Sequence, residues 1–168
     1  MIGNKNNVGA ALGFVALLAV APPWAEALAA QKHPATQMLK RAAVNKKPHH
    51  LILQVNTNDA AMMNLTLNNA TNVAQYYSDL GEEVAIEIVT FGPGLHMLRA
   101  DTSPVKTRIE ALSLSTPAIS FKACGNTKEN MSKAESKEIP LISEATVVKS
   151  GVVHVMELEE QGWTYVKP

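Results

Sequence analysis

The chain has 168 residues, 15 basic and 15 acidic side chains, no formal net charge and one cysteine. That balance supports neither a nucleic-acid nor an anionic-membrane partner, since both are found through an excess of Lys and Arg. A single cysteine cannot close a disulfide within its own chain. After Lys5, residues 8–21 (VGAALGFVALLAVA) are uncharged and rich in Ala, Leu and Val, and Pro22 and Pro23 close the run ahead of small residues. This is the layout of a secretory signal peptide. The run falls short of the roughly 20 apolar residues of a spanning helix, and the prolines stop its extension, so cleavage is favoured over an uncleaved anchor. The triplets Ala25-Glu26-Ala27 and Ala27-Leu28-Ala29 put the cut after Ala27 to Ala30, and no cysteine nearby offers a lipid anchor. Residues 1–30 are therefore assigned to the signal, which implies a periplasmic or secreted product with no membrane contact once cleaved. About 138 residues remain, the usual size of one domain.

Residues 31–48 (QKHPATQMLKRAAVNKKP) are polar and basic and read as a tether. His49 and His50 follow, but no Cys, Asp or Glu accompanies them locally, so a solvated entry to the first strand is favoured over a metal site. LILQV (51–55) is an apolar run of the kind that fills a buried strand, and Asn58 or Asp59 can cap the helix after it. Met62, Leu65, Val73, Tyr76 and Leu80 share one face of that helix, and Gly81 stands where it should end. VAIEIVTF (84–91) is a second strand. Ser103-Pro104 starts a helix lined by Val105, Ile109 and Leu112, which ends before Thr116-Pro117. AISFKAC (118–124) is the third strand, and Asn126 with Glu129 has the form of a capping box. ATVVK (145–149), SGVVHVMELEEQG (150–162) and WTYVK (163–167) complete the pattern as strand, helix and strand.

Strand and helix alternating at this spacing predicts right-handed crossovers and a mostly parallel sheet with helices on both faces. Ligands of such sheets bind beyond the carboxyl ends of the strands, which singles out Asn56 to Asp59, Gly92 to His96 and Cys124 to Thr127. Cys124 then stands at a strand end beside a helix N-terminus, where free N–H groups and the helix dipole lower a thiol pKa from about 8.5 toward neutrality. Gly125 removes bulk beside the sulfur and permits a turn that other residues resist. The alternative is that Cys124 is a small buried hydrophobe.

Other residues carry weaker signals. His96 could approach Cys124 as its base, as in cysteine–histidine pairs, although no orienting third residue is evident and a surface histidine is the commoner case. Asp59 could contact a ligand at the same rim, but helix capping already accounts for it. His154 sits in an apolar helix turn and reads as a packed or half-exposed residue. Glu157, Glu159 and Glu160 read as a solvated face. Gly92-Pro93-Gly94 lacks the length and lysine of a phosphate loop. The N-x-S/T triplets at Asn64, Asn69 and Asn130 fall on predicted helices.

A short α/β domain with a strand ending in Cys-Gly-Asn-Thr, preceded by Phe-Gly-Pro-Gly and closed by GVVHVMELEEQGWTYVKP, resembles the DsrE/DsrF-like family of small sulfur-metabolism proteins. It is similar in particular to their single-domain, signal-bearing relatives. The resemblance covers residues 49–168. It implies a three-layer α/β/α sandwich with a five-stranded, mostly parallel sheet and homo- or hetero-oligomers. It also implies a persulfide-carrying role for Cys124, with no cofactor and no metal. Gly125, Asn126 and Thr127 then form the immediate binding surround, with the Asn126 and Thr127 N–H groups on the thiolate, and Asp59 and His96 at the rim. The partner expected is a sulfane-sulfur donor or acceptor: a thiol, a polysulfide or a protein. Sulfur-relay members known for transfer act in the cytoplasm, so a signal peptide separates this chain from their partners. The alternative is a non-catalytic ligand-binding or homo-oligomeric assembly module with a structural cysteine.

Overall fold

Apolar runs too short for helices become the strands of one sheet in the computed structural model, which describes residues 48–168. The signal-peptide assignment (1–30) and all of the tether except Pro48 lie outside the described residues. In chain order the elements are β1 (His49–Val55), α1 (Ala60–Asp79), β2 (Val84–Thr90), a 3-10 helix (Gly92–Leu98), α2 (Lys106–Ser115), β3 (Ile119–Cys124), α3 (Gly125–Glu135), β4 (Ala145–Val148), α4 (Gly151–Glu160) and β5 (Thr164–Val166). The strands pair in the order β4-β3-β2-β1-β5, every pair parallel.

That order dictates the layers. The steps β1 to β2, β2 to β3 and β3 to β4 all run the same way along the sheet, so right-handed crossovers put α1, α2 and α3 on one face. The step from β4 to β5 returns across the whole sheet and puts α4 on the other. The two cores agree with this. Leu51, Leu53, Ile86, Ile88, Phe121 and Ala123 pack with Met63 and Leu67 of α1 and Ile109 of α2. Across the sheet, Ile52 and Val89 pack with Val155 and Leu158 of α4 and with Trp163. The result is the expected three-layer α/β/α sandwich.

Two local expectations are corrected. The buried face of α1 is Met63, Thr66, Leu67, Ala70 and Ala74, and of the expected arc of Met62, Leu65, Val73, Tyr76 and Leu80 only Val73 packs against the core. Leu65, Tyr76 and Leu80 are 44%, 61% and 51% exposed. Alanines at 70 and 74 let the helix backbone sit close to the sheet, a contact that larger side chains would hold apart. Thr66 tolerates burial because its hydroxyl donates to the Met62 carbonyl at 2.8 Å. The second correction concerns α3. It starts two residues earlier than the capping box requires, with Cys124 itself at the N-cap and no side-chain cap. Glu129 instead pairs with Lys133 one turn on, at 2.6 Å.

The loops at the carboxyl ends of the strands are held by a buried arginine. Arg99, 1% exposed at the end of the 3-10 helix, donates to both carboxylate oxygens of Asp101 at 2.9 and 2.8 Å and to Glu135 of α3. Lys137 closes the cluster, 3.3 Å from each carboxylate. An arginine desolvated in this way is tolerable only with its donors spent on carboxylates. Replacing it by methionine is predicted to cost about 3 kcal/mol in chemical denaturation, the low end for orphaning a buried ion pair because the carboxylates keep access to water. The pairing with Arg99 holds Glu135 down from 4.5 to about 2 and drives Asp101 below its usual range as well. The folded chain therefore binds fewer protons than the unfolded chain between those values. The stabilisation is complete above pH 4.5 and is lost as pH falls through about 2. Denaturation midpoints are predicted to drop over that interval, and Glu135→Gln is predicted to flatten the drop.

Candidate functional site

β3 is a central strand, and its last residue, Cys124, is also the N-cap of α3. Alternation turns Phe121 and Ala123 to the α1 and α2 face and Cys124 to the α4 face. There α4 begins at Gly151, and a Cβ added at that position would lie 3.2 Å from the Cys124 Cβ and 3.0 Å from the Phe91 ring. The lack of a side chain at Gly151 is thus what lets the start of α4 close onto the thiol. The N-termini of two helices from opposite faces of the sheet meet at one sulfur.

The electrostatics follow from that meeting. Cys124 is only 4% exposed, and burial disfavours the thiolate. It is outweighed by the Thr127 hydroxyl and then by the N–H groups of Gly151, Thr127 and Asn126, so the thiol ionises below its ordinary value of 9.0. The Thr127 hydroxyl is itself oriented, since it accepts from the Gly92 N–H at 3.0 Å, which leaves its O–H for the sulfur. The Asn126 N–H is shared with the Lys149 carbonyl at 3.2 Å.

The residues anticipated from sequence divide in two. Cys124, Asn126 and Thr127 come together as described. Gly125 stands beside them for a different reason than expected. Its φ is not in the left-handed region, and an added Cβ would sit 3.1 Å from the Val148 carbonyl oxygen, so glycine here serves close packing of α3 on β4 rather than a special turn. His96 and Asp59 do not join the thiol. The His96 ring bonds Thr102 through Nδ1 at 2.8 Å, and Asp59 accepts from the Ala61 N–H at 2.8 Å as the N-cap of α1. A rim cleft of about 430 Å³ does exist beyond the strands, lined by Asn58, His96 and Thr127 among others. Thr127 is the side chain common to cleft and thiol.

Gly151 and Phe91 escaped the sequence reading. The Ser-Gly start of α4 is visible in the sequence, but its place beside Cys124 depends on β4 lying next to β3, a pairing between distant segments. A second unread feature lies deeper under α4. Glu87 bonds His154 Nε2 at 2.6 Å and Lys122 Nζ at 3.5 Å, so His154 is fixed on a carboxylate. Among the described residues, no group of three or more His, Cys, Asp or Glu side chains is placed to hold a metal ion.

Fold and site together define an α/β domain of five parallel strands with one thiol at the carboxyl edge of the sheet. No family model matches the chain, and no curated protein matches it. Among solved structures it is similar to MTH1491 from Methanobacterium thermoautotrophicum, a protein of unknown function. That likeness has 28% identity and a TM-score of 0.59 and covers 71% of this chain and 99% of the other. The arrangement makes two variants informative. Thr127→Val keeps the shape but removes the hydroxyl, and is predicted to move the pH midpoint of iodoacetamide alkylation up, whereas Thr127→Ser keeps it near wild type. Gly151→Ala is predicted to raise the midpoint as well, by pushing the α4 N–H off the sulfur.

Proposed function

We propose that the chain is a DsrE-like sulfur carrier whose Cys124 takes up sulfane sulfur as a persulfide. The observation that carries this reading is the place of the sulfur, at the N-cap of α3 with the first residue of α4 against its Cβ, where the Thr127 hydroxyl and the N–H groups of Gly151, Thr127 and Asn126 favour the thiolate. A thiol packed as a hydrophobe needs none of them. In the loading step the Cys124 thiolate attacks a sulfane sulfur of a polysulfide. A new S–S bond forms, the S–S bond to the rest of the polysulfide breaks, and the shortened polysulfide leaves with the bonding electron pair. No external oxidant is required, because the sulfur arrives already at the sulfane level. The product anion occupies the same donors as the starting thiolate, so the site stabilises both ends of the step. Burial adds selectivity, since at 4% exposure a thin sulfur chain reaches Sγ more readily than a bulky group does.

The chain's export, read from residues 8–30, belongs to the same proposal, as does a homo-oligomeric assembly. The competing reading is a non-catalytic binding or assembly module. It draws on the same burial and on the tight packing of Gly151 against the Cys124 Cβ. One experiment separates the two: intact-mass analysis of the folded protein after incubation with polysulfide, alongside Cys124→Ser. The carrier reading predicts one or more added sulfur masses in the wild type, none in the variant, and reversal by dithiothreitol. An unmodified wild-type mass, with a thiol that resists alkylation until the chain is unfolded, would leave the binding module standing.

A further inference from the structure

Beside the thiol, on the outer side of the α4 start, lies a cavity of about 620 Å³ lined by Asn126, Lys149, Ser150, Val153, His154 and Glu157 among others. It lies next to Cys124 without including it, since Asn126 stands in the first turn of the helix that Cys124 caps and Ser150 precedes Gly151, where an added Cβ would lie 3.2 Å from the Cys124 Cβ. The volume lies in the range of small-molecule sites and exceeds what a single amino acid fills. Its charge is polarised. Lys149 and the Asn126 amide stand at the thiol end, and Glu157 stands two turns along α4, about 10 Å from Ser150 at 1.5 Å rise per residue. Among the described residues, neither Lys149 nor Glu157 makes an ion pair, whereas Lys122, Glu87 and His154 are already engaged with one another. His154, fixed through Nε2 on Glu87, gives the cavity a rigid polar wall, and Val148 and Val153 supply apolar surface.

We infer that this cavity binds a zwitterionic peptide thiol of two or three residues, with a carboxylate toward Lys149 and Asn126 and its ammonium toward Glu157, and that this thiol is the acceptor of the sulfur carried on Cys124. The acceptor role rests on the carrier reading above; the binding does not. In the transfer step the acceptor thiolate attacks the outer sulfur of the Cys124 persulfide. The acceptor S–S bond forms, the S–S bond to Cys124 breaks, and the Cys124 thiolate leaves onto the same four donors, while the acceptor departs as its own persulfide. The outer sulfur stands about 2 Å beyond Sγ, so loading carries the reacting atom outward from a buried position.

The test has two arms. Calorimetric titration of the Cys124→Ser protein with S-methylglutathione, which cannot react, is expected to give a Kd of about 1 mM or tighter, weakened about fivefold by Lys149→Gln and again by Glu157→Gln. Both residues are exposed, so folding should survive the substitutions, and polysulfide loading of Cys124 is expected to be unchanged in each. In the second arm, the loaded wild type is expected to pass sulfur to glutathione faster than to uncharged 2-mercaptoethanol, a preference lost in Lys149→Gln. Absence of binding in the first arm, or binding indifferent to both substitutions, overturns the site. Binding with equal transfer to both thiols overturns the acceptor role alone. If Cys124 never loads, the carrier reading and the acceptor role fall together, and the titration still decides the cavity.

Discussion

Everything around the candidate site depends on one constraint: the strand order β4-β3-β2-β1-β5 forces α3 and α4 onto opposite faces while starting both beside the end of β3. A helix start has unpaired N–H groups and the positive end of its dipole. Two such starts converging on one atom make a place for an anion, and the atom that occupies it is the Cys124 sulfur. Gly151 permits the convergence, Thr127 sharpens it, and Gly125 lets α3 leave the sheet without pushing β4 aside.

The rest of the molecule holds that geometry still. The Arg99 cluster ties the end of the 3-10 helix to the end of α3, so the loop carrying Gly92 is fixed relative to the helix carrying Thr127. Gly92 in turn orients the Thr127 hydroxyl. On the other face, the Glu87 pair with His154 anchors the first turns of α4 to β2 and thereby fixes the Gly151 N–H. These polar contacts sit among two apolar cores of unequal size, because three helices cover one face and α4 alone covers the other. The face with the smaller core is the one that carries Glu87, Lys122 and the thiol.

Much of this was legible in the sequence, and the limits have physical causes. Apolar runs of strand length alternating with helical periods specified the five strands and the layer order, because right-handed crossovers leave little choice. The Cys124 position at a helix start followed from the glycine and polar residues after it. The buried face of α1 was misassigned because apolar size was read as burial, whereas Ala70 and Ala74 are buried for being small. The capping box at Asn126 was a local pattern that a two-residue shift of the helix start made irrelevant. Gly151, the Arg99 cluster and the His154–Glu87 pair were beyond reach because each joins segments far apart in the chain, and spacing along a sequence does not encode which loops meet.

The central claim is that the fold makes Cys124 an acidic thiol despite burying it. The most direct measurement is the Cys124 Cβ carbon chemical shift as a function of pH in the folded protein, with selectively labelled cysteine. The account predicts a single titration with its midpoint clearly below the ordinary 9.0. A midpoint at or above that value would mean that burial outweighs the donors from the two helices, and would contradict the account.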